Sequence, residues 1–367
     1  MVERHACAHQ SAALQKLVQI LIRGFSAVKI CIYGAGAIGG YMGHALAQVP
    51  GVELSLIARG PHLKAMQENG LALIRDGEKT SVPVTATSDP GDLGPQDYVV
   101  IALKSHQAWQ SAESITPLLG PDTAVVTCQN GVPWWYFHKL KGEFEGNRLD
   151  AVDRGDRQWN TFGPDRAIGC VVYPATEIIE PGVIKHVYGD KFSIGEPDGT
   201  LSPRCESLSK ALEQGGLCAP VLEDIRSEIW LKLWGNLCFN PISALTGATL
   251  DVVATQPGTR ALAKSMMLEA QTLAEKLGAS FRVDVERRIN GAAGVGAHRT
   301  SMLQDLEAGK AMEIDALVTA VQEMGRIAGI ATPAIDGVLA LVQQLAEGRG
   351  LYPTYPVENS DSLARSA

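Results

Sequence analysis

No stretch of the 367-residue chain reaches the roughly 18 to 20 apolar residues that a membrane-spanning helix needs, so no membrane partner is expected. The seven cysteines are odd in number and form no C-x-x-C pair, which leaves no disulfide framework to argue from. Cys31, Cys128 and Cys170 lie inside apolar runs, where a thiol packs as a small hydrophobe; the expectation is reduced cysteines and a cytoplasmic protein. Basic charge is scarce as well. With 32 Lys plus Arg against 40 Asp plus Glu, a net charge of −8 and no basic block, nucleic acid is excluded as the main partner. Any anion site must therefore gather its cations locally. Internal repeats and low-complexity tracts are absent too, and 46% hydrophobic against 20% charged residues describes a globular chain with a sizeable core. At roughly 150 residues per domain, the length implies two domains with some sequence left over.

Residues 1–26 precede the first strand pattern and read as an extension. Their SAALQKLVQILIRGF segment has apolar residues at helical spacing, and it is expected to be an amphipathic piece. A secretory signal is not expected, because the run Leu17 to Ile22 is interrupted by Gln19 and no small-x-small site follows. Arg4, Lys16 and Arg23 against Glu3 give only a faint transit-peptide pattern. His5 and His9 lack a third ligand, so no metal is expected there or elsewhere.

From Val28 onward, apolar runs alternate with helical patterns. VKICIY, VELSLIA, YVVIAL and TAVVTC are apolar on both faces, as buried parallel strands are, and this predicts an α/β Rossmann-type domain over residues 27–223. Glu143 to Arg166 is polar and reads as a loop or insertion; AIGCVVYPATEI, GVIKHVYG and KFSIGEP read as short strands. Residues 224–347 change texture to long helical patterns, including one over TSMLQDLEAGKAMEIDALVTAVQEMGRIAG, and predict a mostly helical second domain. Residues 348–367 read as a surface tail.

Directly after VKICIY comes Gly34-Ala35-Gly36-Ala37-Ile38-Gly39, followed by a helix-compatible segment. A G-x-G-x-x-G run between a strand and a helix binds a dinucleotide: the glycines permit a tight turn, close approach of the pyrophosphate and close helix packing. Amides at the helix start then hold phosphate. Where an NAD enzyme usually carries an acid at the end of the second strand, this chain has Arg59, whose fork suits a 2′-phosphate, with Lys64 or His62 as possible assistants. NADP(H) is therefore expected over NAD(H). The plain alternative for Arg59 is a solvated strand end.

Further polar residues interrupt the apolar pattern. Lys104 and Asn130 follow strands three and four of the pattern, where carboxyl ends face the ligand crevice of a doubly wound sheet. A solvated strand end and an Asn-Gly turn are their plain readings. Lys232, Asn236 and Asn240 fall at i, i+4 and i+8 of a largely apolar helix, and such groups need partners when buried. A substrate carboxylate and hydroxyl would serve; a solvated helix edge is the alternative. Pro241 predicts a kink or break just after. Ser301 with Gln304 fits a capping box, and the same serine at a helix start would face an anionic substrate. Continued as one helix, Glu313 lies about 120° around from Ser301. Trp134 and Trp135 read equally well as cleft lining or as core.

GAGAIGG, ALKSHQ, QNGVP, LKLWGNLCFNP and TSMLQDLEAGKAMEID, in this order from about Val28 to Glu347, together resemble the ketopantoate reductase family. The resemblance implies a cleft between the two domains in which NADPH reduces a 2-oxo acid. It assigns Lys232 as the catalytic lysine and Asn236, Asn240 and Ser301 as substrate-binding residues. Asn130 would touch both substrate and cofactor, and Lys104, Ala175 and Glu313 would contact the cofactor. Three features depart from the family pattern: Leu250 and His298 stand where asparagines are common, and the 143–166 insertion and the N-terminal extension lengthen the chain. Ketopantoate is the expected substrate in pantothenate synthesis; another branched or bulkier 2-oxo acid, or a non-catalytic NADP(H)-binding regulator, are the alternatives. The apolar helices of the second domain allow a homodimer.

Overall fold

The computed structural model describes residues 27–352; the amphipathic reading of residues 1–26, with His5 and His9, and the tail beyond 352 lie outside them. The first part of the chain runs β1 (Val28–Tyr33), α1 (Ala37–Leu46), β2 (Val52–Ile57), α2 (Gly60–Asn69), β3 (Leu71–Arg75), β4 (Glu78–Val82) and β5 (Thr85–Thr87). It continues through β6 (Gln96–Ile101), β7 (Leu119–Thr127), β8 (Ala167–Val172), β9 (Ala175–Glu180), β10 (Val183–Tyr188), β11 (Phe192–Gly195) and α3 (Pro203–Gln214). The apolar runs become a seven-stranded sheet in the order β11-β8-β7-β6-β1-β2-β5, parallel throughout except for β11 against β8. Consecutive side chains of β1 enter different cores. Ile30 and Ile32 pack with α1 and α3, while Cys31 and Tyr33 join a core that continues into Trp230, Trp234 and Leu237 of the helical region. Burial on both faces is why these strands carry no polar alternation.

A second sheet, β4-β3-β10-β9, covers the far side of α1. Pressed between two sheets, α1 is buried from Gly39 to Leu46. The expected loop at Glu143 to Arg166 is instead an ordered, packed segment containing a short helix, Arg157–Phe162. Leu149, Val152 and Phe162 are buried there, and Asp153 accepts hydrogen bonds from the amides of Gln158 (2.7 Å) and Trp159 (2.9 Å).

The helical region comprises α4 (Ile225–Thr246), α5 (Leu250–Thr255), α6 (Pro257–Lys276), α7 (Val285–Ala293), α8 (Ser301–Glu307), α9 (Ala320–Ala328) and α10 (Pro333–Gly348). Two expectations are corrected. Of the kink or break expected, there is no break at Pro241: α4 runs through to Thr246, with Leu237, Phe239, Pro241 and Ile242 all buried, so packing keeps the helix going where one hydrogen bond is missing. The long helix read from Thr300 to Gly329 is in fact interrupted. α8 stops at Glu307, the Lys310 amide closes onto Asp305 O at 2.8 Å around Gly309 (φ +63°), and a π-helical turn, Asp315–Thr319, leads into α9. The first residues of the expected surface tail, as far as they are described, are tied down. Leu351 O accepts from the Met312 amide (3.1 Å) and the Tyr352 hydroxyl donates to Asp315 (2.5 Å), fastening this end across the π turn. Among the described residues no helix is long and apolar enough to cross a membrane.

Candidate active site

The glycine loop sits where β1 meets α1. Gly34 has φ +105°, and a Cβ there would stand 2.7 Å from Leu103 Cδ2, while its amide and that of Ala35 both donate to Ile57 O (3.2 and 2.9 Å). At Gly39 a Cβ would lie 2.2 Å from Gly34 O, so only glycine lets α1 pack onto the turn. Gly36 is different, because a Cβ there would meet nothing within 4 Å: the loop is open on this side. The first-turn amides of Ala37, Ile38 and Gly39 lack intrahelical acceptors and border that opening, an arrangement that fits a dinucleotide pyrophosphate. Arg59 is exposed at the end of β2 as the extended residue before α2, and it forms no ion pair among the described residues. Its auxiliaries are corrected. His62 has both ring nitrogens committed, Nδ1 accepting from the Gly182 amide (3.0 Å) and Nε2 therefore donating to Ala35 O (2.8 Å); it braces the loop rather than facing a phosphate. Lys64 lies 3.8 Å from Glu68 on the surface of α2.

At the carboxyl end of β7, Asn130 is held by the turn that follows it. Gly131 has φ +93°, a Cβ there would be 2.3 Å from Ala316 O, and the Val132 amide donates to that same oxygen at 2.9 Å. The close approach presses this loop against the π-helical turn, a feature often found at functional sites. Asn130 Oδ1 accepts from Lys232 Nζ at 2.6 Å, joining the sheet to α4. Burial pushes the Lys232 ammonium down to about 8, against the opposing pull of Cys128, Cys170 and Glu313. Glu313 receives the Ser105 amide at 3.4 Å and a hydrogen bond from Asn130; burial raises its carboxyl above the usual range. Lys232, Asn130 and Asn236 line a common narrow pocket together with Trp134, Trp135, Val152 and Gln158. Both tryptophans are buried, with Trp135 Nε1 donating to Thr127 Oγ1 at 3.0 Å, so they belong to the core and line the pocket at once.

One turn further along α4, Asn240 Nδ2 donates to Ser301 Oγ at 3.3 Å. The stripe of Lys232, Asn236 and Asn240 thus meets α8. Ser301, however, is the first helical residue of α8 and not its cap. Thr300 caps α8, accepting from the Leu303 amide, and Gln304 turns back to Arg299 O (2.9 Å). Because α8 ends at Glu307, Glu313 does not share a helix with Ser301; it reaches the site from the irregular segment beside Asn130.

Lys104 has an unforeseen partner. Its Nζ donates to Asp305 Oδ2 at 2.6 Å and to Ala311 O at 2.8 Å, bridging the sheet to the helical region. Ala175 opens β9, two residues after Tyr173, whose ring centroid is 6.0 Å from Lys232 Nζ. A charge knot behind the lysine was also missed: Glu228 is 2% exposed and accepts from Lys191 (2.9 Å), Arg282 (2.5 Å), Tyr173 (2.8 Å) and Ser193 (3.2 Å). Spacing carried the signal, since Glu228 continues the Lys232 stripe at i−4 and Asp305 follows Ser301 at i+4.

Two family models match the chain: ketopantoate reductase PanE/ApbA over residues 30–199, and its C-terminal part over residues 224–346. A 2-dehydropantoate 2-reductase of Mesorhizobium japonicum is 58% identical over 325 residues, covering 89% of this chain and all of that protein. Among solved structures, a Ralstonia eutropha PanE/ApbA family ketopantoate reductase superposes with a TM-score of 0.75 at 27% identity, covering 88% of this chain and all of the other. A D-mandelate dehydrogenase bound to NADH and anilino(oxo)acetate shares the fold at 20% identity, with a TM-score of 0.75 and cover of 88% and 100%. The chain belongs to the ketopantoate reductase family, oxidoreductases of Rossmann-type fold whose cofactor is NADP(H).

Proposed function

We propose that this chain reduces a 2-oxo acid to the 2-hydroxy acid with NADPH, that ketopantoate is its substrate, and that Lys232 is the proton donor. The carrying observation is the 2.6 Å bond from Lys232 Nζ to Asn130 Oδ1, which sets an ammonium at the mouth of the crevice between the sheet and α4. When bound, NADPH supplies a hydride to the oxo carbon. Gly34 to Gly39 would hold its pyrophosphate and Arg59 its 2′-phosphate, with Lys104, Asn130, Ala175 and Glu313 as further contacts. Lys232 meets the oxo oxygen as negative charge develops there and then gives up its proton. A donor held near 8 transfers that proton more readily than an ordinary lysine while remaining charged at neutral pH. Asn130 fixes the direction of Nζ, and the nearby Glu313 carboxyl favours its charged form. Asn236, Asn240 and Ser301 hold the substrate and set its distance from the reacting face.

The division into residues 27–223 and 224–347, and a homodimer through the helical faces, belong to the same proposal; sedimentation of the purified protein tests the latter. The identity to the Mesorhizobium 2-dehydropantoate 2-reductase supports ketopantoate. One observation favours a second substrate reading: Leu250 and His298, which replace the asparagines common in the family, stand side by side, with the Leu250 amide donating to His298 O at 2.8 Å. NADPH oxidation by the pure protein with ketopantoate and a panel of 2-oxo acids separates the readings. The highest kcat/KM on ketopantoate supports the proposal, and preference for a bulkier acid supports the second. NADPH binding without turnover of any 2-oxo acid refutes both.

A further inference from the structure

Two buried polar atoms of residues in the wall of the Lys232 pocket have no hydrogen-bond partner among the described residues: Nε1 of Trp134 and Oε1 of Gln158. The side chains are 3% and 1% exposed, and a buried polar group left unpaired is costly. Both are firmly held. The indole of Trp134 meets Trp159 and Phe162 edge to face, with ring centroids 6.1 and 5.9 Å away. Those two rings belong to the short helix Arg157–Phe162, which also carries Gln158. The Gln158 amide is oriented as well. Its Nε2 donates to Val152 O at 3.1 Å, and the side chain also hydrogen-bonds the Asp153 carboxyl, so the nitrogen faces acceptors and the oxygen is the end left over. The open space in the pocket is about 20 Å³, enough for one water-sized group. One donor and one acceptor without partners call for a neutral group that accepts and donates at once, as a hydroxyl does. A carboxylate or an oxo oxygen only accepts and would set its lone pairs against Gln158. An ammonium only donates and would set its protons against the indole N–H.

Lys232, Asn130 and Asn236 share this wall, which ties the two atoms to the reacting end of the site. Resting on the reductase reading above, we infer that Trp134 and Gln158 form a subsite for a hydroxyl at the far end of the substrate, Trp134 Nε1 donating to its oxygen and Gln158 Oε1 accepting its proton. Only that end of the substrate enters the narrow pocket, while Lys232 attends the oxo oxygen at its mouth. The Asn240–Ser301 pair, one turn further along α4, is left for the charged end of the acid. Specificity then comes from the 143–166 insertion, which supplies Gln158 and the two rings that hold Trp134. A 2-oxo acid with a methyl group in place of the hydroxyl buries both polar atoms unpaired and is rejected for that reason.

The test is steady-state kinetics of wild type, Trp134→Phe and Gln158→Met with two acids, alongside NADPH affinity by fluorescence. The acids are ketopantoate and 3,3-dimethyl-2-oxobutanoate, which is ketopantoate without its hydroxyl oxygen. Wild type prefers ketopantoate by about 10²-fold or more in kcat/KM, because the deoxy acid satisfies neither buried atom. Each variant removes one of the two hydrogen bonds and lowers that ratio about tenfold or more, with ketopantoate taking the loss. NADPH affinity at the wild-type value reports an intact fold. Trp134→Phe leaves the Val152 and Asp153 contacts of Gln158 untouched, so it carries the test alone if Gln158→Met does not fold. If the two atoms serve only the core, or hold a structural water, both acids lose equally in the variants and the ratio stays at the wild-type value; that result overturns the subsite. Equal kcat/KM for the two acids in wild type overturns it as well, while leaving the reductase reading standing. If the wild type turns over no 2-oxo acid at all, both fall.

Discussion

The environment of Lys232 fixes the shape of a pH profile. Its ammonium is pushed down to about 8 by burial, so the charged fraction is about nine-tenths at pH 7 and about one-tenth at pH 9. If the charged form donates the proton, kcat/KM for the 2-oxo acid falls about tenfold between pH 7 and pH 9 and about tenfold per unit beyond. An ordinary lysine would give a flat profile through that window. Lys232→Ala removes the donor together with the positive charge at the developing oxyanion, and each effect alone contributes about 10²- to 10³-fold. Turnover should therefore fall at least about 10³-fold, while NADPH affinity changes little because Lys232 is bonded to Asn130 and not to the glycine loop. In Lys232→Arg the alkaline limb should vanish from whatever activity remains, since arginine does not titrate there. The assay is initial-rate NADPH absorbance at saturating NADPH from pH 6 to 10. A flat wild-type profile up to pH 10, or a limb near 8 that persists in the residual activity of Lys232→Ala, would refute the reasoning.

Three further outcomes follow from the geometry. Arg59→Ala should weaken NADPH binding about tenfold or more, the cost of losing a charge-assisted bond to the 2′-phosphate, and leave NADH binding unchanged; titration with both cofactors checks it. Gly39→Ala places a methyl 2.2 Å from Gly34 O, which forces the loop apart and should weaken NADPH by more than tenfold while the helical region melts as before. Glu228→Gln should lower stability by about 1 to 3 kcal/mol in thermal unfolding, because two cations lose their counterion. Burial alone would raise the Glu228 carboxyl, but hydrogen bonds from Lys191, Tyr173 and Ser193 outweigh it and hold it below the usual range. A depressed folded value means the stabilisation is complete above the unfolded carboxyl pKa and lost as pH falls through the folded one, so the gap between variant and wild type should close in acid.

The sheet was legible because its strands are buried on both faces and therefore carry unbroken apolar runs, and because G-x-G-x-x-G has a fixed place between strand and helix. Lys232, Asn236 and Asn240 were legible from helical spacing in an apolar helix, and so was their need for partners. What period alone could not tell was where a helix stops. TSMLQDLEAGKAMEID keeps a helical pattern through Ala308-Gly309, yet Gly309 takes a left-handed turn there, and Glu313 reaches the site from outside any helix. At Pro241 the helix continues where a break was one of the two expectations, since tertiary packing overrides one missing hydrogen bond. Long-range pairs, such as Lys104 with Asp305 201 residues away, leave no local signature.

The central claim is that this chain carries hydride from NADPH to the oxo carbon of ketopantoate, with Lys232 supplying the proton. NADPH deuterated at C4 of the nicotinamide on the transferred face, incubated with ketopantoate and the pure protein, tests it directly through the NMR spectrum of the product. Deuterium at C2 of pantoate with wild type, and labelling at least about 10³-fold slower with Lys232→Ala, is the predicted result. Pantoate without deuterium, or equal rates of labelling by the two proteins, would contradict it.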